Sequence, residues 1–143
     1  MKSNRAINYW AVIAIGFAAF ALSLLWYSPF LFGEIWMRFR NAAVGSPPVW
    51  KFLVAPLREI ITAFMLAYLI VQMEMTDWKR AVRLGFWLWL AFYAVQLTGA
   101  VIWDGRPWQL SAVHAGDWLM KMLFMSAALA LWHRKQLLAA AAR

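Results

Sequence analysis

The chain contains no cysteine, which excludes disulfides, thiolate metal sites and cysteine nucleophiles and leaves the redox compartment open. Acidic residues are scarce, six in 143, and there are two histidines. Two histidines without a paired acidic cluster make a poor metal site. His114 and His133 fall at opposite ends of one expected helix, so they cannot share a haem within the chain. The motifs H-E-x-x-H and G-x-S-x-G, the P-loop and the Rossmann glycine pattern are all missing. The expectation is a protein that is not an enzyme and carries no cofactor.

Charge is sparse altogether, at 14% of residues against about a quarter in a soluble domain. Hydrophobic residues make up 65%, against about half. A single domain of 143 residues cannot hide that much apolar surface inside itself, so lipid has to cover the rest. The 11 tryptophans point the same way, since indole favours the headgroup region, where the ring is dry and its N–H is wet. The formal charge is +8. The basic residues lie in short segments between apolar runs, where topology and anionic headgroups account for them. No basic helix face or nucleic-acid module accompanies them. The expected partners are membrane lipids, with a second copy or a partner membrane protein left open, and no nucleic acid.

An apolar span needs about 20 residues. No charged residue separates Arg5 from Glu34, which leaves room for a first span at 8–27. Lys2 and Arg5 ahead of an apolar run resemble the start of a secretory signal. The run is too long for one, and Trp26-Tyr27-Ser28-Pro29 is no small-residue cleavage site. Ala11, Ala14, Gly16, Ala18, Ala19, Ala21 and Ser23 give this span small faces for close helix approach. Pro29 then interrupts the backbone. Leu31, Phe32, Ile35, Trp36 and Phe39 recur at helical spacing between Glu34, Arg38 and Arg40, which predicts a short interfacial helix over 31–40. Gly45-Ser46-Pro47-Pro48 reads as a loop.

A second span is expected at 56–73, with Pro56 at its first helical position. Asp77, Lys79, Arg80 and Arg83 form a polar turn before a third, uncharged span at 84–103. Asp104-Gly105-Arg106-Pro107 is a tight loop, and a fourth span follows at 110–132, with an Ala-rich tail continuing as helix. The fold class is all-α: a four-helix transmembrane bundle in one domain, with a short interfacial helix after the first span. Eight basic residues (Lys2, Arg5, Lys79, Arg80, Arg83, Arg134, Lys135, Arg143) flank one side, and four (Arg38, Arg40, Lys51, Arg106) the other. That count places both termini in the cytoplasm, in a cell (inner) membrane.

The corner Trp26-Tyr27-Ser28-Pro29-Phe30-Leu31-Phe32-Gly33, with Trp36 following, closely resembles the signature of a bacterial membrane family catalogued as domain of unknown function 1761. Gly105-Arg106-Pro107-Trp108, the pair Gly116-Asp117 and the pair Leu131-Trp132 are similar to its second half. The resemblance covers nearly the whole chain and implies a four-helix membrane protein. It implies no activity, catalytic residue or ligand.

The residues themselves single out the fourth span. Ionisable side chains at the centre of a membrane helix cost about 2.5–3.5 kcal/mol each on insertion scales. Lys121 lies roughly 16 Å from either end of its span, which calls for a partner. Asp117 is four residues earlier, in the favoured acid-before-base order, and His114 three before that. The three fall within about 60° of one another on a helical projection. One reading of this stripe is a proton relay or a pocket for an anionic headgroup or small molecule. The other is a buried, self-compensating ion pair.

Arg58 and Glu59 enter from the same side. Headgroup contact and the helix dipole explain them singly. The alternative is a cluster in which Arg58 meets Asp117 and Glu59 meets Lys121, with Gln96 or Tyr93 as hydrogen-bond partners. For the corner, Trp26 and Tyr27 as an interfacial anchor and Pro29 as a helix stop stand beside a lid or partner-binding role. The function expected is non-enzymatic: organising a bundle and binding a lipid, small molecule or partner. A small transporter or channel subunit using the stripe is the alternative.

Overall fold

The structure, a computed structural model, describes residues 6–40 and 48–142. The loop expected around Gly45-Ser46-Pro47 falls almost wholly outside them, as do Lys2, Arg5 and Arg143. The described residues form six α-helices in chain order: α1 (Tyr9–Trp26), α2 (Gly33–Phe39), α3 (Val49–Gln72), α4 (Trp78–Trp89), α5 (Val95–Trp103) and α6 (Trp108–Ala141). A π-turn at Leu90–Ala94 joins α4 to α5 without a break. No strand occurs among the described residues.

Local chemistry sets the helix ends. The Asn8 side chain accepts from Ala11 N at 3.1 Å and opens α1. Asp77 does the same for α4 through Lys79 N at 3.0 Å. After Trp26 the chain turns tightly, with Phe32 N donating to Trp26 O and Gly33 N to Ser28 O, both at 3.0 Å. A Cβ on Gly33 would sit 2.5 Å from Tyr27 O and 2.6 Å from Ser28 O, so only glycine lets the turn close. Glu34 in the first turn of α2 and Arg38 in its last complement the helix dipole.

Two helices start earlier than their apolar runs suggest. α3 begins at Val49, with the extended Pro48 as its N-cap, so Pro56 lies inside the helix. There it removes one backbone bond, to the carbonyl four residues before it, and the helix tolerates the loss. α4 begins at Trp78, so Lys79, Arg80 and Arg83 are helical rather than part of a turn. Apolarity marks the part of a helix that needs covering, and a helix can extend beyond it into water.

α1, α3 and α6 pack mutually, while α4 leans on α6 as its main neighbour. The shared core holds Ala11, Val12, Ile15 and Ala19 of α1, Ala63, Leu66, Ala67 and Ile70 of α3, and Met122, Met125, Leu129 and Ala130 of α6. Small residues set the spacing. A Cβ on Gly16 would meet the Ile60 backbone at 2.9 Å, so α1 and α3 nearly touch.

On α4, a Cβ on Gly85 would run into Ser126 Oγ and, at 2.9 Å, Met122 O of α6. Gly85→Val should therefore prise α4 off α6 and lower thermal stability in detergent by about 1–3 kcal/mol. Gly99→Ala, where a Cβ meets nothing within 4 Å, should not lower the melting temperature and should raise it slightly, since alanine is the better helix former. A Gly85→Val protein that melts like the parent would show that close approach is not what holds α4.

Much of the outside is apolar, including exposed Trp10, Phe17, Ile61, Phe92 and Ile102. Among the described residues, three helical stretches are long and apolar enough to cross a membrane: Tyr9–Trp26, Val49–Gln72 and Trp78–Trp103. α6 is the longest helix at 34 residues and carries the buried Asp117 and Lys121.

Candidate functional site

Asp117 and Lys121 lie one turn apart on α6, and Lys121 Nζ reaches Asp117 Oδ2 at 2.8 Å. The same ammonium donates to Glu59 Oε1 of α3 at 2.9 Å. It also sits 4.1 Å from the centre of the Trp118 ring, a further favourable contact for a desolvated cation. Ser23 of α1 donates to Asp117 Oδ1 at 2.5 Å. Side chains of three helices thus meet on one buried knot, in which Glu59 and Lys121 are wholly inaccessible and Asp117 is 2% exposed.

Above the knot lies a cleft of about 620 Å³. Ser23, Glu59 and Asp117 contribute to its floor, Tyr27, Tyr93, His114 and Trp118 to its walls. Arg40, Arg58 and Arg106 also line it. Tyr27 Oη and His114 Nδ1 are 2.6 Å apart, which orients the imidazole at the wall. Tyr93 packs against Trp118 with ring centres 5.5 Å apart. Glu59 Oε2 is buried without a hydrogen-bond partner.

The structure brings Glu59, His114, Asp117 and Lys121 together and adds Arg58 at the edge. Arg58 does not meet Asp117. Its guanidinium is 3.6 Å from Glu59 Oε1 with the side chain 63% exposed, so the pair contributes little. Both Asp117 oxygens are engaged within the bundle, Oδ1 by Ser23 and Oδ2 by Lys121. Gln96 is exposed and is not among the residues lining the cleft. Tyr93, within the π-turn at Leu90–Ala94, does line it.

The Trp26, Tyr27 and Trp36 side chains of the corner are half-buried and make contacts within the bundle. Trp26 Nε1 donates to Val113 O of α6 at 3.1 Å, and a Cβ on Gly116 would meet the Trp26 ring at 2.6 Å. Trp36 packs on Tyr27, ring centres 5.4 Å apart, and the Arg40 guanidinium lies 4.4 Å from the Trp36 ring centre. Pro29 and Ser28 shape the turn, and the exposed apolar groups of the corner are Phe30, Leu31 and Ile35.

Sequence reasoning missed Ser23 as a partner of Asp117, and Arg40, Arg106 and Trp118 as cleft residues. Arg106 alone carried a signal, as a cation in the loop that enters α6. At the far end of α6, His133 is buried, and desolvation pushes its imidazole below the ordinary range while the Glu74 carboxylate pulls the other way. Among the described residues, no group of three or more His, Asp or Glu is placed to hold a metal ion.

Apolar helices long enough to span a bilayer, and a polar cleft held between them, define an all-α, multi-pass membrane protein. The chain belongs to the family described as protein of unknown function DUF1761, whose match covers residues 10–130. No curated protein and no solved structure matches it.

Proposed function

We propose that this is a non-enzymatic membrane protein with four spans, both termini cytoplasmic, that binds a small anionic molecule or headgroup in its outward-facing cleft. α6 serves as the fourth span, because its two buried charges are neutralised within the bundle. α2 lies at the outer interface, with Leu31 and Ile35 as its lipid-facing groups. The cell membrane is its setting.

The observation that carries the binding role is the cleft of about 620 Å³ lined by three arginines over a paired, buried floor. Pockets of this size, with a few convergent polar groups among aromatic walls, suit small ligands. The buried and paired floor favours a closed site over a through-path, which is why binding stands ahead of transport. Native mass spectrometry of the full chain in mild detergent tests it. The parent should retain an anionic species of defined mass, and Arg58→Gln with Arg106→Gln should release it. A parent that retains nothing, or an adduct indifferent to both substitutions, would overturn the reading.

A further inference from the structure

The cleft continues sideways. Two of its lining residues, Tyr93 and Trp118, also line a groove of about 350 Å³ between α3 and the α4–α5 helix. Thr62, Met65, Leu66 and Leu69 form its α3 wall, facing Leu88, Trp89 and Phe92. From Thr62 to Leu69 that wall runs about 10 Å along the helix axis. The Thr62 hydroxyl donates back to Arg58 O at 2.8 Å, so the α3 wall presents apolar surface. α3 and α4 both pack on α6 and barely touch each other, and the groove between them opens to the outside of the bundle, where Met65 and Phe92 are exposed.

Charge and hydrogen bonding specify the upper end. Arg40, Arg58 and Arg106 line the cleft with Lys121 beneath, against the carboxylates of Glu59 and Asp117. Four cations facing two carboxylates leave a surplus that an anion neutralises, and arginine matches phosphate geometry well. Glu59 supplies a second, independent mark. It is fully buried, it lines the cleft, and its Oε2 has no donor. A buried acceptor of this kind asks for a hydroxyl or N–H.

We infer that cleft and groove together hold one outer-leaflet phospholipid with an anionic, hydroxyl-bearing headgroup. The phosphodiester meets Arg40, Arg58 and Arg106, a headgroup hydroxyl donates to Glu59 Oε2, and one acyl chain lies in the groove past Tyr93 and Trp118. A choline headgroup offers no donor, and its own charge cancels that of its phosphate. The inference rests on the cleft being a binding site and adds the groove and the ligand class.

Thermal stability of the full chain in mild detergent is the readout, titrated with phosphatidylglycerol, phosphatidylcholine and the soluble headgroup glycerophosphoglycerol. Phosphatidylglycerol should raise the melting temperature saturably, with half-saturation about tenfold lower than for phosphatidylcholine. Arg58→Gln with Arg106→Gln should erase that preference. Met65→Trp fills the groove from its open side and should weaken the lipid about tenfold while leaving the soluble headgroup's effect unchanged. Thr62→Phe narrows the groove from the next turn and should act alike, which guards against a folding defect in either variant. Equal binding of both lipids would overturn the headgroup assignment. Lipid binding unaffected by both groove variants, or a soluble headgroup as tight as the lipid, would remove the acyl chain from the groove and keep the small-anion cleft. No saturable effect from any probe would sink both readings.

Discussion

Lys121→Met should destabilise the protein more than any other single change in the floor of the cleft. The ammonium serves two buried carboxylates at once, Asp117 at 2.8 Å and Glu59 at 2.9 Å. Removing it strands both. Leaving a buried charge unpaired costs about 3–5 kcal/mol, well above the roughly 1–2 kcal/mol of an ordinary polar contact between membrane helices. Asp117→Asn or Glu59→Gln alone should cost less, because each leaves Lys121 one carboxylate. Asp117→Asn combined with Lys121→Met leaves Glu59 with only the exposed Arg58 at 3.6 Å, so that pair should recover only part of the loss. The triple variant with Glu59→Gln should recover more than either. Thermal unfolding in detergent across this set reads the coupling directly. Strictly additive losses would mean that the three residues act separately. A Lys121→Met protein as stable as the parent would mean that water reaches the floor, and would favour a conducting path over a closed site.

This knot was half legible in the sequence, and the reason is spacing. His114, Asp117 and Lys121 recur at three and four residues on one helix, so their shared stripe follows from helical geometry alone. Ser23 could not be read, because it reaches Asp117 from a helix 94 positions away. Arg40 and Trp118 also escaped: one follows a short helix whose docking is tertiary, and the other looked like one more apolar residue. Helix ends misled for a different reason. Val49 and Trp78 begin helices ahead of the apolar runs, since hydropathy reports covering and backbone hydrogen bonds extend past it. Gln96, offered beside Tyr93 as a hydrogen-bond partner, lies exposed on α5, and only Tyr93 lines the cleft. Composition likewise reports that aromatic residues favour the interface and says nothing of which way a given ring turns. Trp26 donating to Val113 O and Trp36 stacking on Tyr27 are tertiary contacts that composition does not reveal.

Trp26 should accordingly behave as a packing residue. Its ring lies against Phe32, centres 4.3 Å apart, and over the bare backbone of Gly116, while Nε1 donates to Val113 O. Trp26→Ala removes all three contacts and should cost about 3–5 kcal/mol. Trp26→Phe loses only the hydrogen bond and the second ring, which should cost nearer 1 kcal/mol for the bond itself. Gly116→Ala pushes a methyl to within 2.6 Å of Trp26 Cζ2, and overpacking of this kind costs about 1–3 kcal/mol. The atom it strikes belongs to the ring that phenylalanine lacks. Trp26→Phe with Gly116→Ala should therefore lose less than the two single losses combined, and thermal unfolding of the four proteins measures that difference. A lipid-facing anchor would give a mild Trp26→Ala and no coupling to Gly116. Because Tyr27 is the next residue and orients His114 at the cleft wall, Trp26→Ala should also weaken retention of the anionic adduct, an effect that a ring buried only in headgroups would not produce.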